Sequence, residues 1–148
     1  MAELRLAALA LTSCANAGAG PTTVAGPPGW SAIETLARAA GDAAKADGVA
    51  VDATGAWGDP ARGCYALAIE LRGGGDAQKL VDGIASAGIA TRDVVYEGTA
   101  VTLGVARAPY DGRVRAEIAS DGRVAARACF WNEREPAGCA AACGGWMR

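Results

Sequence analysis

The chain has 148 residues, a mass of 14.7 kDa and a formal charge of -2, room for one compact domain and too little for two of ordinary size. Ala (37 residues) and Gly (21) supply much of the 51% hydrophobic content, with aromatics at 5% and charged residues at 20%; a collagen, a coiled coil, a long disordered tail and a polytopic membrane protein are excluded. The acidic balance speaks against a nucleic-acid binder, and the absence of His removes the commonest general base and metal ligand.

The chain opens with Met1 to Arg5, an apolar run from Leu6 to Leu11, then Thr12, Ser13 and Cys14. Leu11-Thr12-Ser13-Cys14 resembles the lipobox of bacterial lipoproteins, the signal-peptidase site preceding a lipid-modified cysteine. The resemblance implies a signal peptide over 1–13 and acyl chains on Cys14. Several acyl chains together suffice for stable membrane anchoring. Residues 15–29, rich in Ala, Gly, Thr and Pro, read as a flexible tether, so the expected layout is leader 1–13, lipid-anchored tether 14–29 and one domain over 30–148. The competing reading packs Leu4, Leu6, Leu9 and Leu11 on the domain as an N-terminal helix, with Cys14 a buried thiol. The spacer that follows favours the lipoprotein layout. It places the protein in the cell envelope, periplasmic or surface-facing.

Cys64, Cys129, Cys139 and Cys143 remain, an even number in a small domain with a thin core. In an exported protein they read as two disulfides, with three connectivities open. Cys139 and Cys143 stand four apart, on one face of a helical turn. No C-x-x-C pair supports a zinc site or a redox motif, and no metal or cofactor is expected.

Ser31 and Glu34 have capping-box spacing before Ile33, Leu36, Ala37, Ala40 and Ala44, which recur at helical period up to Asp47-Gly48. Asp76 is positioned to cap a second helix reaching Gly88, with Leu80, Ile84 and Ala87 inward. Gly73-Gly74-Gly75 lacks the Lys and spacing of a phosphate loop and reads as a break. Elsewhere the period is two. Val49, Val51, Ala53 and Trp57 share a face, as do Tyr65, Leu67, Ile69 and Leu71; Val101 to Val105, Val114 to Ile118 and Val124 to Phe130 follow. The order is α-β-β-α-β-β-β-β: loosely repeated helix–hairpin units over 31–72 and 76–107, then a closing hairpin over 112–131. The expected fold class is α+β, an antiparallel sheet covered on one face by two helices and stapled by disulfides.

The closing hairpin carries a register. A three-residue loop Ser120-Asp121-Gly122 pairs Ala119 with Arg123 and sets Val114, Ala116 and Ile118 against Ala128, Ala126 and Val124. A two-residue loop would bring Arg127 onto that apolar face, at the cost of a buried unpaired cation. Arg113, Arg115, Arg123 and Arg127 then line the other face, with Arg115 opposite Arg127 and only Glu117 for company. They read as a cationic strip for an anionic envelope component or another envelope protein. The plainer account is a solvated face balanced by Glu133, Glu135 or loop Asp residues. Trp131 alternates to the face opposite Phe130, where a large aromatic is a contact candidate unless the C-terminal segment folds over it.

Catalysis has little to use. Asp52, Asp59, Glu133 and Glu135 form no recognisable acid–base pair, and Ser31, Ser86 and Ser120 have no His. The expectation is a lipid-anchored, non-catalytic binding or assembly domain. The alternative is a small secreted hydrolase or thiol redox protein using carboxylates or a free cysteine.

Overall fold

A computed structural model describes residues 20–22, 24–73, 75–132 and 136–148. The leader, Cys14, the first part of the tether, and Glu133 to Glu135 lie outside the described residues. The elements run β1 (Gly20–Pro21), β2 (Ser31–Ala32), α1 (Glu34–Ala46), β3 (Ala50–Asp59), β4 (Cys64–Arg72), α2 (Ala77–Ser86), β5 (Ala90–Glu97), β6 (Ala100–Arg107), β7 (Tyr110–Ile118), β8 (Arg123–Asn132) and α3 (Pro136–Trp146). They build one sheet in the order β1-β3-β4-β8-β7-β6-β5, with β2 also pairing β3. All pairs are antiparallel except β1 with β3. The fold is α+β.

The two helix–hairpin units do not pair with each other. The β3–β4 and β5–β6 hairpins flank the closing β7–β8 hairpin on opposite sides. Their helices lie over the flanks, α1 against β3 and β4 and α2 against β5. One face of the sheet holds Val101, Leu103, Ala116 and Val124, buried with Val81 of α2, and Leu71 and Ile118 pack around them. Val101 and Leu103 are fully buried, worth about 1.5–3 kcal/mol each.

The opposite face is covered too, by a helix the periodicity did not announce. Helix α3 carries Cys139 and Cys143 to Cys64 of β4 and Cys129 of β8. Cys64 and Cys129 are diagonal neighbours on adjacent strands, since Cys64 stands opposite Trp131 and Ala66 opposite Cys129. Two thiols one helical turn apart therefore meet two thiols two residues apart across a ladder. With the helix running in the direction it does, the pairing is Cys64–Cys139 and Cys129–Cys143, with Cα atoms 5.7 Å apart in both, well inside disulfide range.

Local rules account for most element ends. Asp76 caps α2, its carboxylate accepting from the Lys79 N–H at 2.9 Å, and Gly88 takes the left-handed turn after it. Helix α1 departs from expectation: no Ser31 capping box forms, and the N-cap is Ile33, without a side-chain bond. Ser31 and Ala32 instead pair with Gly58 and Trp57 of β3, and the Ile33 N–H donates to the Ala56 carbonyl at 2.8 Å. Sheet pairing outcompetes the cap because it satisfies several backbone groups where the cap satisfies one.

Strand β3 also breaks its alternation. A bulge between Val51 and Ala53 frees Asp52 to meet Arg72 at 2.8 Å. Val51, Ala53 and Trp57 therefore do not share a face, because an inserted residue inverts the parity beyond it. Part of the segment 14–29, expected as a tether, is packed against the sheet. Gly20–Pro21 pairs with Ala53 and Thr54, the Thr22 N–H donates to the Thr54 carbonyl at 3.1 Å, and Val24 packs against the disulfide cluster. Gly26 lies so close to the Trp57 ring that a Cβ there would stand 2.3 Å from it. Residues ahead of Trp30 therefore contribute to the sheet and to the core around the disulfides.

The closing hairpin has the register read from the sequence. Ala119 and Arg123 close the loop through an N–H···O bond of 2.8 Å, Gly122 sits at φ +84°, and Arg115 stands opposite Arg127. The end of a three-residue loop takes a left-handed residue, which Gly adopts without a steric penalty.

Candidate functional site

The four arginines of the strip fall on one face, as alternation demands, but they do not act together. Arg123 folds onto its own turn: its backbone N–H donates to Asp121 at 3.1 Å and its Nε to the same carboxylate at 2.7 Å. The backbone bond, then the guanidinium, holds the Asp121 carboxyl below the usual carboxylate range. Arg115 reaches Glu117 at 3.6 Å and Thr102 at 3.4 Å. Arg127 turns to α3, donating to the Trp146 carbonyl at 2.7 Å with its guanidinium carbon 5.4 Å from the Trp146 ring centroid. Arg113, exposed, makes no hydrogen bond or ion pair among the described residues. Three of the four arginines of the strip thus have partners within the fold, and each cation of the like-charged pair has its own.

Trp131 is not an exposed contact residue. It alternates away from Phe130, but α3 closes over it and leaves it 8% exposed, beside Trp30, Trp146, Met147 and the four cysteines. Its indole N–H has no hydrogen-bond partner among the described residues. All four cysteines are in disulfides, so no free thiol is left among the described residues for a redox role.

This geometry revises what substitution along the strip should do. Arg127→Gln removes a charge-assisted bond to the last carbonyl of α3, where a cation complements the helix end, and also the contact with the Trp146 ring. It is expected to lower stability by about 1–2 kcal/mol. Arg115→Gln, losing only a half-exposed pair, should stay within about 0.5 kcal/mol of the parent. Chemical denaturation of the two single variants checks this, and equal effects would refute the asymmetry.

A further concavity lies on the other face, away from the residues singled out in the sequence. It is a cleft of about 470 Å³, within the ~300–1,000 Å³ typical of small-ligand sites. Ile84 of α2 and Ile89 form one wall; Val105, Val114, Ala128 and Phe130 contribute the sheet floor, with Tyr110 at the β6–β7 end. Tyr110 and Phe130 belong to a packed aromatic trio with Tyr65: Tyr65 stacks on Phe130 at 5.5 Å, and Tyr110 meets both edge-on at 6.1 and 5.9 Å. The charged side chain at the rim is Arg107; Asp111, opposite Trp131 in the ladder, has its carboxylate on the other face of the sheet. Asp111 accepts from Arg92, whereas Arg107 is exposed and has no ion pair among the described residues.

The cleft follows from topology. The closing hairpin widens the sheet between the two helix–hairpin units without bringing a helix to that face. Six long strands with only two amphipathic helices were the available signal, since two helices cannot cover so wide a face. The arrangement can hold an apolar body against a rigid floor and present one cation to its polar end. Among the described residues no three or more His, Cys, Asp or Glu side chains gather to hold a metal ion. No family model, curated protein or solved structure matches the chain.

Proposed function

We propose that the protein is a lipid-anchored bacterial envelope protein whose disulfide-stapled domain is a non-catalytic binding module. The observation that carries the binding reading is the apolar cleft beside α2, bounded by an aromatic trio and already open. Two disulfides fit an oxidising compartment outside the cytoplasm. No helix among the described residues is long and apolar enough to cross a membrane, so the membrane partner in this reading is reached through Cys14. Five residues, 15–19, stand between Cys14 and Gly20 of β1. They span at most ~20 Å, so the domain works close to the bilayer and to anionic envelope components there.

Two measurements test the proposal. Expressed in a bacterium supplied with labelled fatty acid, the native chain should incorporate label and Cys14→Ser should not. Equal labelling of both, or of neither, would remove the anchor. A neutral apolar fluorophore should bind the folded Cys14→Ser chain and be displaced from the cleft by Ile84→Trp, which fills it from the helix side. Absence of fluorophore binding to the folded protein would remove the binding module.

A further inference from the structure

We infer that the cleft takes a single-chain amphiphile with a carboxylate head, its hydrocarbon on the apolar floor and its carboxylate at Arg107. This rests on the binding reading above and adds the chemistry of the ligand. Three features carry it. The cleft is lined by Ile84, Ile89, Val105, Val114, Ala128 and Phe130, which offer hydrocarbon and an aromatic ring and no hydrogen-bonding side-chain group. A ligand body with internal polar groups would lose their hydration there without recompense. At the rim the charge balance is one-sided. The Asp111 carboxylate lies on the other face of the sheet, bonded to Arg92, and Arg107 is a cation with no ion pair among the described residues.

A single guanidinium matches a carboxylate in fork geometry and in charge. A doubly charged head would keep an unneutralised charge beside the apolar floor. The volume selects for one chain: about 470 Å³ sits in the lower half of the small-ligand range, which leaves little room for a multi-chain lipid.

The full chain with Cys14→Ser, which carries no acyl group of its own, is the protein to use. A neutral apolar fluorophore is bound first and displaced by octanoate, decanoate and dodecanoate below their micellar concentrations, and by dodecanol and dodecyltrimethylammonium. Affinity should rise about fourfold per added CH₂ until the cleft is full. Dodecanoate should outcompete dodecanol by about fivefold at low salt, the worth of one exposed charged pair, and the cationic amphiphile should be weakest. High salt should narrow the gap. Arg107→Gln should erase the difference between acid and alcohol, each displacement being referenced to that variant's own fluorophore affinity. Since Arg107 is exposed, this variant is not expected to disturb folding.

Equal displacement by acid and alcohol in the unsubstituted chain would overturn the carboxylate assignment and leave the binding module standing. A preference that survives Arg107→Gln would place the head elsewhere and also overturn it. Failure of the folded protein to bind the fluorophore, with sedimentation showing a dimer, would mean a second copy covers the cleft. That result would overturn both this inference and the binding reading.

Discussion

Replacing Cys64 and Cys139 by Ser is expected to lower the unfolding free energy by about 4–5 kcal/mol, and replacing Cys129 and Cys143 by about 3 kcal/mol. The difference comes from loop length. The first bridge closes a separation of 75 residues and the second one of 14, and the longer loop removes more freedom from the unfolded chain. The native-state consequence is the same for both: α3 loses one of the two bonds that seat it. That helix has little of its own to rely on. Its sequence, Pro-Ala-Gly-Cys-Ala-Ala-Ala-Cys-Gly-Gly-Trp, contains three glycines and no polar face, so propensity and amphipathicity contribute little.

The measurement is thermal unfolding of the two double variants beside the parent, with each kcal/mol worth about 2–4 °C in a domain of this size. Tryptophan fluorescence resolves where the change occurs. Trp30, Trp131 and Trp146 are buried in the disulfide cluster and Trp57 packs against it, so all four tryptophans report on that face. Loss of α3 should redden their emission before the sheet unfolds. Four free thiols in protein folded under oxidising conditions, by mass spectrometry, would refute the pairing outright.

Trp146→Ala should cost about 3–5 kcal/mol, close to a disulfide, although the residue stands third from the end of the chain. Four interactions converge on this one side chain and its carbonyl. The ring packs edge-on against Trp57 at 5.7 Å, and Arg127 lies over it. Its indole N–H donates to the Ala25 carbonyl at 2.7 Å, and its own carbonyl accepts from Arg127. The residue thereby joins both ends of the chain, tying the segment around Ala25 to the last turn of α3. Trp146→Phe should retain most of the apolar burial and lose mainly the bond to Ala25, at about 1 kcal/mol. Denaturant titration orders the three proteins, and protease cleavage within 20–29 should quicken in the Ala variant as that segment loosens. A loss below about 1 kcal/mol for Trp146→Ala would show that α3 is held by its disulfides alone.

The two predictions concern the same surface, and together they explain why the arginine strip does not stand open. Helix α3 and residues 24–30 cover the β4 and β8 portion of the face, and Arg127 is drawn beneath the last turn of the helix. What stays on the uncovered part is Arg113, together with the Arg115–Glu117 pair. The apolar cleft lies on the other side of the sheet, where the same closing hairpin provides Val114, Ala128 and Phe130 as a floor.

The sequence by itself determined whatever depends on neighbours along the chain. The alternation of Val114, Ala116 and Ile118 against Val124, Ala126 and Ala128, with an Asp-Gly turn between, leaves one register that avoids burying Arg127, and the hairpin has it. The Asp76 cap and the left-handed Gly48, Gly88 and Gly122 are equally local, because a backbone dihedral or a carboxylate three residues from an amide needs no distant partner. Tertiary structure decided the rest. Trp131 alternates as the sequence says, yet its exposure depends on a segment with no hydrophobic period, brought over it by bonds to Cys64 and Cys129. Residues 20–29 have the composition of a linker and become structure only because β3 offers an edge and Trp146 a donor. The cleft, too, is a product of strand order. It exists because the hairpin that comes last among the strands is inserted between two units that precede it, and no local pattern records which strands become neighbours.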